Sequence, residues 1–163
     1  FITKLDASLK GNTLIAFKRS RQGKKLTRAI QSAREAAGIS VDSLYYIDHK
    51  VKNNTRIDYS KDIDLSEDAT AVLSLGTSST GVNIKNINNI IVACQVKSSV
   101  TVPQLIGRGL RLSDKKNTVD VYDLGDDLTY NGKPNATYNH FKRRLEIYSA
   151  MGYKIVIKRY QVR

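Results

Sequence analysis

Short apolar runs alternate along this chain with segments in which apolar residues recur at helical spacing. Runs bounded by polar or turn-forming residues are typical of buried strands, and a period of three to four residues is typical of helices that pack by one face. We therefore predict five buried strands, at 13–17, 44–47, 71–75, 90–93 and 119–124. A further strand is predicted around Ile155 and Ile157, where the pattern alternates.

Three helices are predicted between these strands. They span about Gln22 to Ala37, Pro103 to Leu112 and Asn135 to Met151, and Gly38 and Gly152 stop the first and the last. Residues 48–68 are polar and poorly periodic, so we expect an irregular segment with at most a short helix. Alternation of apolar strands with helices predicts an α/β fold with a mostly parallel sheet covered on both faces.

Length and charge narrow the class of protein. The chain has 163 residues, enough for one domain spanning 1–163, and its net charge of +12 favours anionic partners, nucleic acid above all. No apolar stretch approaches the roughly 20 residues of a membrane span, so we expect no membrane partner. Cys94 is the only cysteine, and His49 and His140 lie far apart, so we expect no disulfide, no metal site and a cytoplasmic location.

The predicted second helix carries the most informative pattern. At about 100° per residue, Gln104, Arg108 and Arg111 fall on one stripe, and the apolar residues Val102, Ile106 and Leu110 gather opposite. Two neighbouring guanidiniums suit a polyphosphate, because each stays charged and can bond two oxygens at once. A solvated basic face is the alternative interpretation of the same spacing.

A second candidate element precedes this helix. The apolar run 71–75 leads into residues 76–84, which are crowded with glycine and small hydroxyl side chains. Glycine lets a backbone approach phosphates closely, and serine and threonine add hydroxyl donors. This composition indicates a second phosphate-contacting segment.

Together these stretches resemble motifs V and VI of superfamily-2 helicases, in the order and spacing of that family. Residues 74–84 match the loop of motif V, residues 104–111 match the pattern Q-x-x-G-R-x-x-R of motif VI, and residues 13–19 look like motif IV. The likeness covers nearly the whole chain and is strongest to phage recombination helicases. It implies a RecA-like three-layer domain, the carboxy-terminal one of two, acting in DNA recombination and repair.

The resemblance also implies roles for single residues. Arg108 and Arg111 would stabilise charge on the γ-phosphate of ATP across an interdomain cleft, with Gln104 ordering them. Gly81 and Asn83 match the part of motif V that approaches the nucleotide, although many relatives have aspartate at the position of Asn83. The part that grips the nucleic-acid backbone corresponds to Ser74, Gly76, Thr77 and Ser78.

Strand ends supply three further candidates. Lys18 and Arg19 follow the first strand and Lys97 follows the strand at 90–93. Because ligands bind at the carboxyl ends of strands in open α/β sheets, we expect these side chains to contact phosphates, with a solvated surface role as the alternative. We expect the arginine pair at this ligand-binding edge too.

The chain lacks the loop G-x-x-x-x-G-K-[ST] that cradles a triphosphate. Gly23-Lys24-Lys25 has the wrong third residue, and Glu67-Asp68 precedes its strand where a metal-binding acid should follow one. In superfamily-2 enzymes these elements belong to the first RecA-like domain. The resemblance therefore implies that an amino-terminal domain of the same protein binds most of ATP and Mg²⁺, that DNA is the polymer with RNA as an alternative, and that the isolated chain is inactive.

Two other functions remain open at this point. A non-catalytic basic module would use its arginines only as contacts to nucleic-acid phosphates. A Rossmann-like nucleotide-binding enzyme ranks below it, because the G-x-G-x-x-G turn after a first strand is missing.

Overall fold

The computed structural model describes residues 1–77, 82–96, 98–111 and 118–160. The strands within these ranges are β1 (Thr13–Phe17), β2 (Leu44–Ile47), β3 (Thr70–Ser74), β4 (Asn89–Val92) and β5 (Asp120–Asp123). The helices are α1 (Ile2–Ser8), α2 (Ser20–Ala36), α3 (Asn53–Leu65), α4 (Thr101–Gly109) and α5 (Ala136–Ala150). None of these helices is both apolar and long enough to pass through a bilayer.

The five strands form one parallel sheet in the order β2-β3-β1-β4-β5. Because β1 lies at the centre, the chain fills one side of it with β2 and β3 and then crosses to the other side for β4 and β5. Every residue of β1 and β3 is buried. This arrangement confirms the predicted α/β fold with a parallel central sheet.

Helices cover both faces of the sheet. Ile15, Val72 and Ile91 are in register across three strands, and Ile30 of α2 is buried against this row together with Phe17. The alternate row includes Ile90, and α4 approaches it so closely that a Cβ on Gly109 would lie 2.7 Å from Ile90 Cδ1. Since side chains alternate between faces along a strand, α2 and α4 lie on opposite sides. The result is a three-layer domain.

The described chain divides into two compact units, residues 1–94 with 103–124 and residues 95–102 with 125–163. The sheet belongs to the first unit. The second has its own centre at α5, where Arg144 is buried, donates a 2.8 Å hydrogen bond to the carbonyl of Val96 and lies over the Phe141 ring. A buried guanidinium is stable there because carbonyl and aromatic groups replace its water.

Two sequence-based predictions about secondary structure are wrong. Residues 48–68 contain the 13-residue helix α3 rather than an irregular segment. Its buried positions are Arg56, Ser60 and Ile63, so two polar residues share the inward face and the apolar periodicity is weak. Ile155 and Ile157 form no strand within the described residues and line a cavity beside α5 instead.

A buried asparagine joins the starts of three strands. Asn12 precedes β1 and is 1% exposed, and its amide nitrogen donates to the carbonyls of Ile63, Ser66 and Asn86 at 2.7–2.9 Å. Its side-chain oxygen accepts a 2.8 Å bond from the N–H of Ala69. One side chain therefore holds the end of α3, the entry to β3 and the entry to β4 against β1.

An ion pair reinforces the same end of the sheet. Arg34 of α2 donates to Asp6 of α1 at 3.0 Å, and both residues also bond the hydroxyl of Thr70 at the start of β3. All three residues are buried. Because each charge keeps hydrogen-bond partners, the burial cost is offset and α1 is fixed to the layer that contains α2.

We expect Asn12→Ala to lower the free energy of unfolding by about 3 kcal/mol, because it leaves several buried backbone groups without their partner. Urea titration followed by circular dichroism measures the change. The control Asn54→Ala alters an exposed residue of α3 and should stay within about 0.5 kcal/mol of the native value. Equal stability of the two variants would contradict the role assigned to Asn12.

Candidate nucleotide and nucleic-acid sites

Helix α4 packs one face into the protein interior and carries Arg108, and Arg111 lies just beyond its last residue. Val102, Leu105, Ile106 and Gly109 are buried, whereas Gln104 is exposed and Arg108 and Arg111 are half-buried. The prediction that Leu110 lies on the buried face is wrong, because α4 ends at Gly109 and Leu110 is 54% exposed. Leu105 takes that place, Gln104 and Arg108 lie on the less buried side of α4, and Arg111 follows the end of the helix.

Both guanidiniums are held by one short segment. Arg108 Nη1 donates to the carbonyl oxygen of Val82 at 3.1 Å, and Arg111 Nη1 donates to the side-chain oxygen of Asn83. Both acceptors are neutral, and neither arginine forms an ion pair with a carboxylate among the described residues. These contacts orient the two side chains, and neither acceptor carries a charge that would neutralise them.

The two charges influence each other. Burial and the neighbouring charge of Arg111 lower the pKa of Arg108, although a guanidinium stays protonated at neutral pH. Like charges at close range attract an anion more strongly than either does alone. Phosphate matches them, because each guanidinium can bond two of its oxygens.

Helix α3 fixes the segment that holds the arginines. The N–H of Asn83 donates to Ser60 Oγ at 3.4 Å, and those of Lys85 and Asn86 donate to Asp64 Oδ1 at 2.7 and 2.9 Å. Sequence reasoning missed Ser60 and Asp64, because it predicted no long helix at 48–68. Their spacing of four residues on one helix face is the signal that identifies them once the helix is recognised.

The arginine pair does not lie where the sequence analysis placed it. The end of α4 that carries Arg108 adjoins Ile90, the second residue of β4, so it is near the strand starts rather than the carboxyl edge. The rule about carboxyl edges applies to ligands held by a domain's own sheet. This rule does not apply to a residue that contacts a ligand held by another domain.

The carboxyl edge carries a second group of candidates. Phe17 and Ser74 are in register, and the N–H of Leu75 donates to the Phe17 carbonyl at 2.8 Å, which places Lys18 and Arg19 beside the turn after β3. Lys18, Arg19 and Gly76 are exposed. Ser74 and Thr77, by contrast, are 8% and 2% exposed, so their hydroxyls do not form the surface that the sequence analysis assigned to them.

Ser78, Gly81 and Lys97 lie outside the described residues. Of the twelve site residues named from the sequence, the nine others therefore form two groups in the structure. The arginine cluster contains Gln104, Arg108, Arg111 and Asn83, and the strand-edge group contains Lys18, Arg19, Ser74, Gly76 and Thr77.

Tyr46 of β2 packs against Phe17, the residue that precedes Lys18 and Arg19 of the strand-edge group. The ring of Tyr46 stacks on Phe17 with centroids 5.6 Å apart, and its hydroxyl donates a 2.8 Å hydrogen bond to the buried Asp48. Asp48 also accepts the N–H of Lys50 and interacts with Ser20, the first residue of α2. This network fixes the turn that presents Lys18 and Arg19.

We expect Gly109→Ala to destabilise the fold by about 1–3 kcal/mol, because the new Cβ would lie 2.7 Å from Ile90 Cδ1 and 2.8 Å from Val119 Cγ1. The matched control is Gly107→Ala on the same helix, where nothing lies within 4 Å and alanine favours the helix by up to about 1 kcal/mol. Thermal unfolding of both variants measures the difference. A destabilised Gly107→Ala beside an unaffected Gly109→Ala would contradict the packing described for α4.

The Tyr46 network predicts a pH dependence. Burial and the hydrogen bond to Asp48 raise the pKa of Tyr46 to about 12, whereas tyrosines of the unfolded chain titrate near 10. The stability that Tyr46 contributes is therefore complete below about pH 10 and is lost as the pH rises from about 10 to about 12. Urea titrations across this range should show a steeper fall for the native chain than for Tyr46→Phe.

The control for that experiment is Tyr130→Phe, which changes a tyrosine that is 77% exposed and should reproduce the native pH profile. Parallel profiles for the native chain and Tyr46→Phe would show that the Tyr46 hydroxyl is not held as described.

Comparison with known proteins provides independent evidence. The chain is 31% identical over 115 residues to the ATP-dependent DNA helicase uvsW of Enterobacteria phage T4, a match that covers 71% of this chain and 22% of that protein. The chain thus spans less than a third of the length of this relative. No family model matches the chain.

Solved structures agree with the sequence match. The crystal structure of T4 UvsW superimposes with a TM-score of 0.70 at 28% identity, over 91% of this chain and 31% of that one. The C-terminal part of the Fun30 ATPase domain matches with a TM-score of 0.58 at 13% identity, over 93% of this chain and 52% of that one, which shows the fold alone. The parallel sheet, the helices on both faces and these matches lead to one conclusion: the chain is a helicase carboxy-terminal domain of the RecA-like, superfamily-2 type, homologous to uvsW.

Proposed function

We propose that residues 1–163 act as the second motor domain of an ATP-dependent superfamily-2 DNA helicase or translocase, with Arg108 and Arg111 as its arginine fingers. The observation that carries this proposal is the pair of half-exposed guanidiniums held by neutral oxygens of Val82 and Asn83. The uvsW protein of phage T4 is described as an ATP-dependent DNA helicase. Its homology supports the same class of activity for the protein that carries this chain.

The neutral acceptors suit a finger that acts on a nucleotide presented by another domain. A carboxylate partner would hold a guanidinium more strongly and cancel its charge, whereas a carbonyl or amide oxygen fixes its direction and leaves the charge available. In the loose transition state, negative charge is spread over the equatorial oxygens of the phosphoryl group and builds on the leaving oxygen as its bond breaks. Arg108 and Arg111 would stabilise that charge, and the exposed Gln104 would order the cluster.

The residues present here fit only part of the nucleotide. Guanidinium and amide groups match phosphate oxygens, so Arg108, Arg111 and Asn83 would contact ATP, and Gly81 is assigned to the same group by resemblance. Magnesium prefers carboxylate oxygens and water. Residues of the amino-terminal domain would therefore hold the magnesium ion. When bound, the ion would neutralise the phosphate oxygens and orient the phosphoryl group.

The strand-edge group would hold the DNA backbone. Lys18 and Arg19 are exposed cations beside the exposed turn at Gly76, a combination that binds phosphates without reading bases. The buried Ser74 and Thr77 would shape this turn from within, since the N–H of Thr77 donates to the Ser74 carbonyl at 3.0 Å. Ser78 and Lys97 are proposed as further contacts by resemblance and position.

The two groups give the domain separate contacts to nucleotide and strand. Closure of two RecA-like domains on ATP would bring the fingers to the triphosphate, and reopening after hydrolysis would shift the grip along the strand. Branched DNA, in recombination and repair, is the substrate that the homology to uvsW favours. A non-catalytic basic module is the second candidate, because a net charge of +12 alone suffices for binding to nucleic acid.

The decisive variant is Arg111→Ala in the complete protein that carries this chain. Loss of a finger should lower DNA-stimulated ATP turnover on the order of 10³-fold or more, while affinity for DNA at a fixed salt concentration stays within a few-fold. Phosphate-release kinetics and fluorescence anisotropy measure the two quantities.

The matched control is Arg143→Ala, which removes an exposed arginine paired with Glu146 on α5 and should leave turnover unchanged. If Arg111→Ala weakened DNA binding and left turnover per bound complex intact, the basic-module function would replace the proposed one. Rapid ATP hydrolysis by the isolated chain would contradict the division of roles between two domains.

A further inference from the structure

Helix α2 carries a row of four cations that neither group of candidates uses. Arg21, Lys24, Lys25 and Arg28 are all exposed, and at about 100° per residue they fall within roughly 100° of one another. The opposite face, with Gly23 and Ile30, is buried against the sheet. We call the four residues the α2 stripe.

The α2 stripe is unfavourable for the helix by itself. Its members are spaced three and four residues apart, so each like charge faces another, and none of them forms an ion pair within the described part of the chain. The helix has no acidic residue in its first turn, and its positive amino-terminal end repels cations. A polyanion would relieve all of these repulsions at once.

The chemistry of the face indicates which polyanion fits. Thr27, Gln31 and Ser32 stand between and beside the cations, and α2 itself contributes no aromatic ring on which an unpaired base could stack. Sites for single strands combine cations with such rings. A duplex hides its bases and presents phosphates, and the roughly 10 Å length of the stripe corresponds to about three phosphates of one strand.

The α2 stripe is continuous with the strand-edge group. Arg19, Arg21, Gln22 and Lys25 line a cavity of about 310 Å³, so cations of both surfaces meet there. The side-chain amide of Gln22 donates to the carbonyl of Ala93, just after β4, and fixes the first turn of α2 at this edge. A nucleic acid that leaves the edge would meet the stripe next.

We propose that the α2 stripe binds the phosphate backbone of double-stranded nucleic acid, next to the DNA-backbone contacts proposed for the strand-edge group. The stripe is thus a duplex-binding surface that adjoins the strand-edge group but consists of different residues. The inference extends the proposed function and rests on it for the class of polymer.

The test compares two double variants of the complete chain. Lys24→Gln with Arg28→Gln removes two cations from the part of the stripe farthest from the strand edge, and Lys4→Gln with Lys10→Gln removes two exposed lysines elsewhere. Binding is measured by fluorescence anisotropy over a salt series, with a blunt duplex and a single strand of equal length.

For the stripe variant we expect duplex affinity to fall on the order of 10-fold, and the slope of log affinity against log salt to decrease by about two, one for each lost phosphate contact. Single-strand affinity should stay within about twofold of the native chain. The control variant should resemble the native chain in both assays. Circular dichroism confirms that each variant is folded.

Three results would overturn the inference. These are an equal loss on duplex and single strand, an unchanged duplex affinity, and, when binding to phosphatidylserine vesicles is measured alongside, a loss confined to the vesicles. None of them affects the proposed function, which is judged by the ATP turnover of Arg111→Ala. Conversely, normal ATP turnover in Arg111→Ala would contradict the proposed function, but a loss of duplex affinity in the stripe variant would still show that the α2 stripe binds duplex.

Discussion

One short segment of backbone holds the two charges on which this account depends. Val82 and Asn83 accept hydrogen bonds from Arg108 and Arg111 through neutral oxygens, so these contacts orient the guanidiniums without neutralising them. The pair is half-buried, which strengthens its field, and no described carboxylate pairs with either member. In the proposed function, this pair lets a domain without a phosphate-cradling loop contribute to phosphate chemistry, because the domain supplies charge instead of a binding pocket.

The position of that segment depends on residues that are not themselves candidates for chemistry. Ser60 and Asp64 of α3 accept three N–H groups of residues 83–86, and Asn12 binds the carbonyl of Asn86 together with the end of α3. Gly109 lets α4 reach the sheet beside Ile90. The arginine cluster is therefore built where α3, α4 and the connection to β4 meet, while the cations after β1 stand at the opposite end of the strands. This topology gives separate positions to the two groups that we propose as nucleotide and DNA contacts.

The sequence predicted most of the sheet, because its strands are apolar runs, and it predicted α2, α4 and α5 to within about three residues because each has a periodic apolar face. It did not predict α3, since Arg56 and Ser60 occupy two of that helix's three buried positions. The alternating run at Ile155 resembles a strand, but alternation is a local property and pairing requires a neighbouring strand. Spacing predicted that the two arginines lie side by side, and they do bond the adjacent residues Val82 and Asn83, although Arg111 lies beyond the end of α4. The tethers to Ser60 and Asp64 could not be predicted, because they use backbone N–H groups, which every residue except proline has. The burial of Ser74 and Thr77 could not be predicted either, because residue composition does not show which side chains of a segment point inward.

A crystal structure of the complete protein with ADP and a planar mimic of the transferred phosphoryl group would test the central claim most directly. The account predicts that guanidinium nitrogens of Arg108 and Arg111 lie about 3 Å from oxygens of the mimic or of ADP, and that Arg111 has left Asn83. A closed complex in which both guanidiniums remain on Val82 and Asn83, out of reach of the nucleotide, would contradict it.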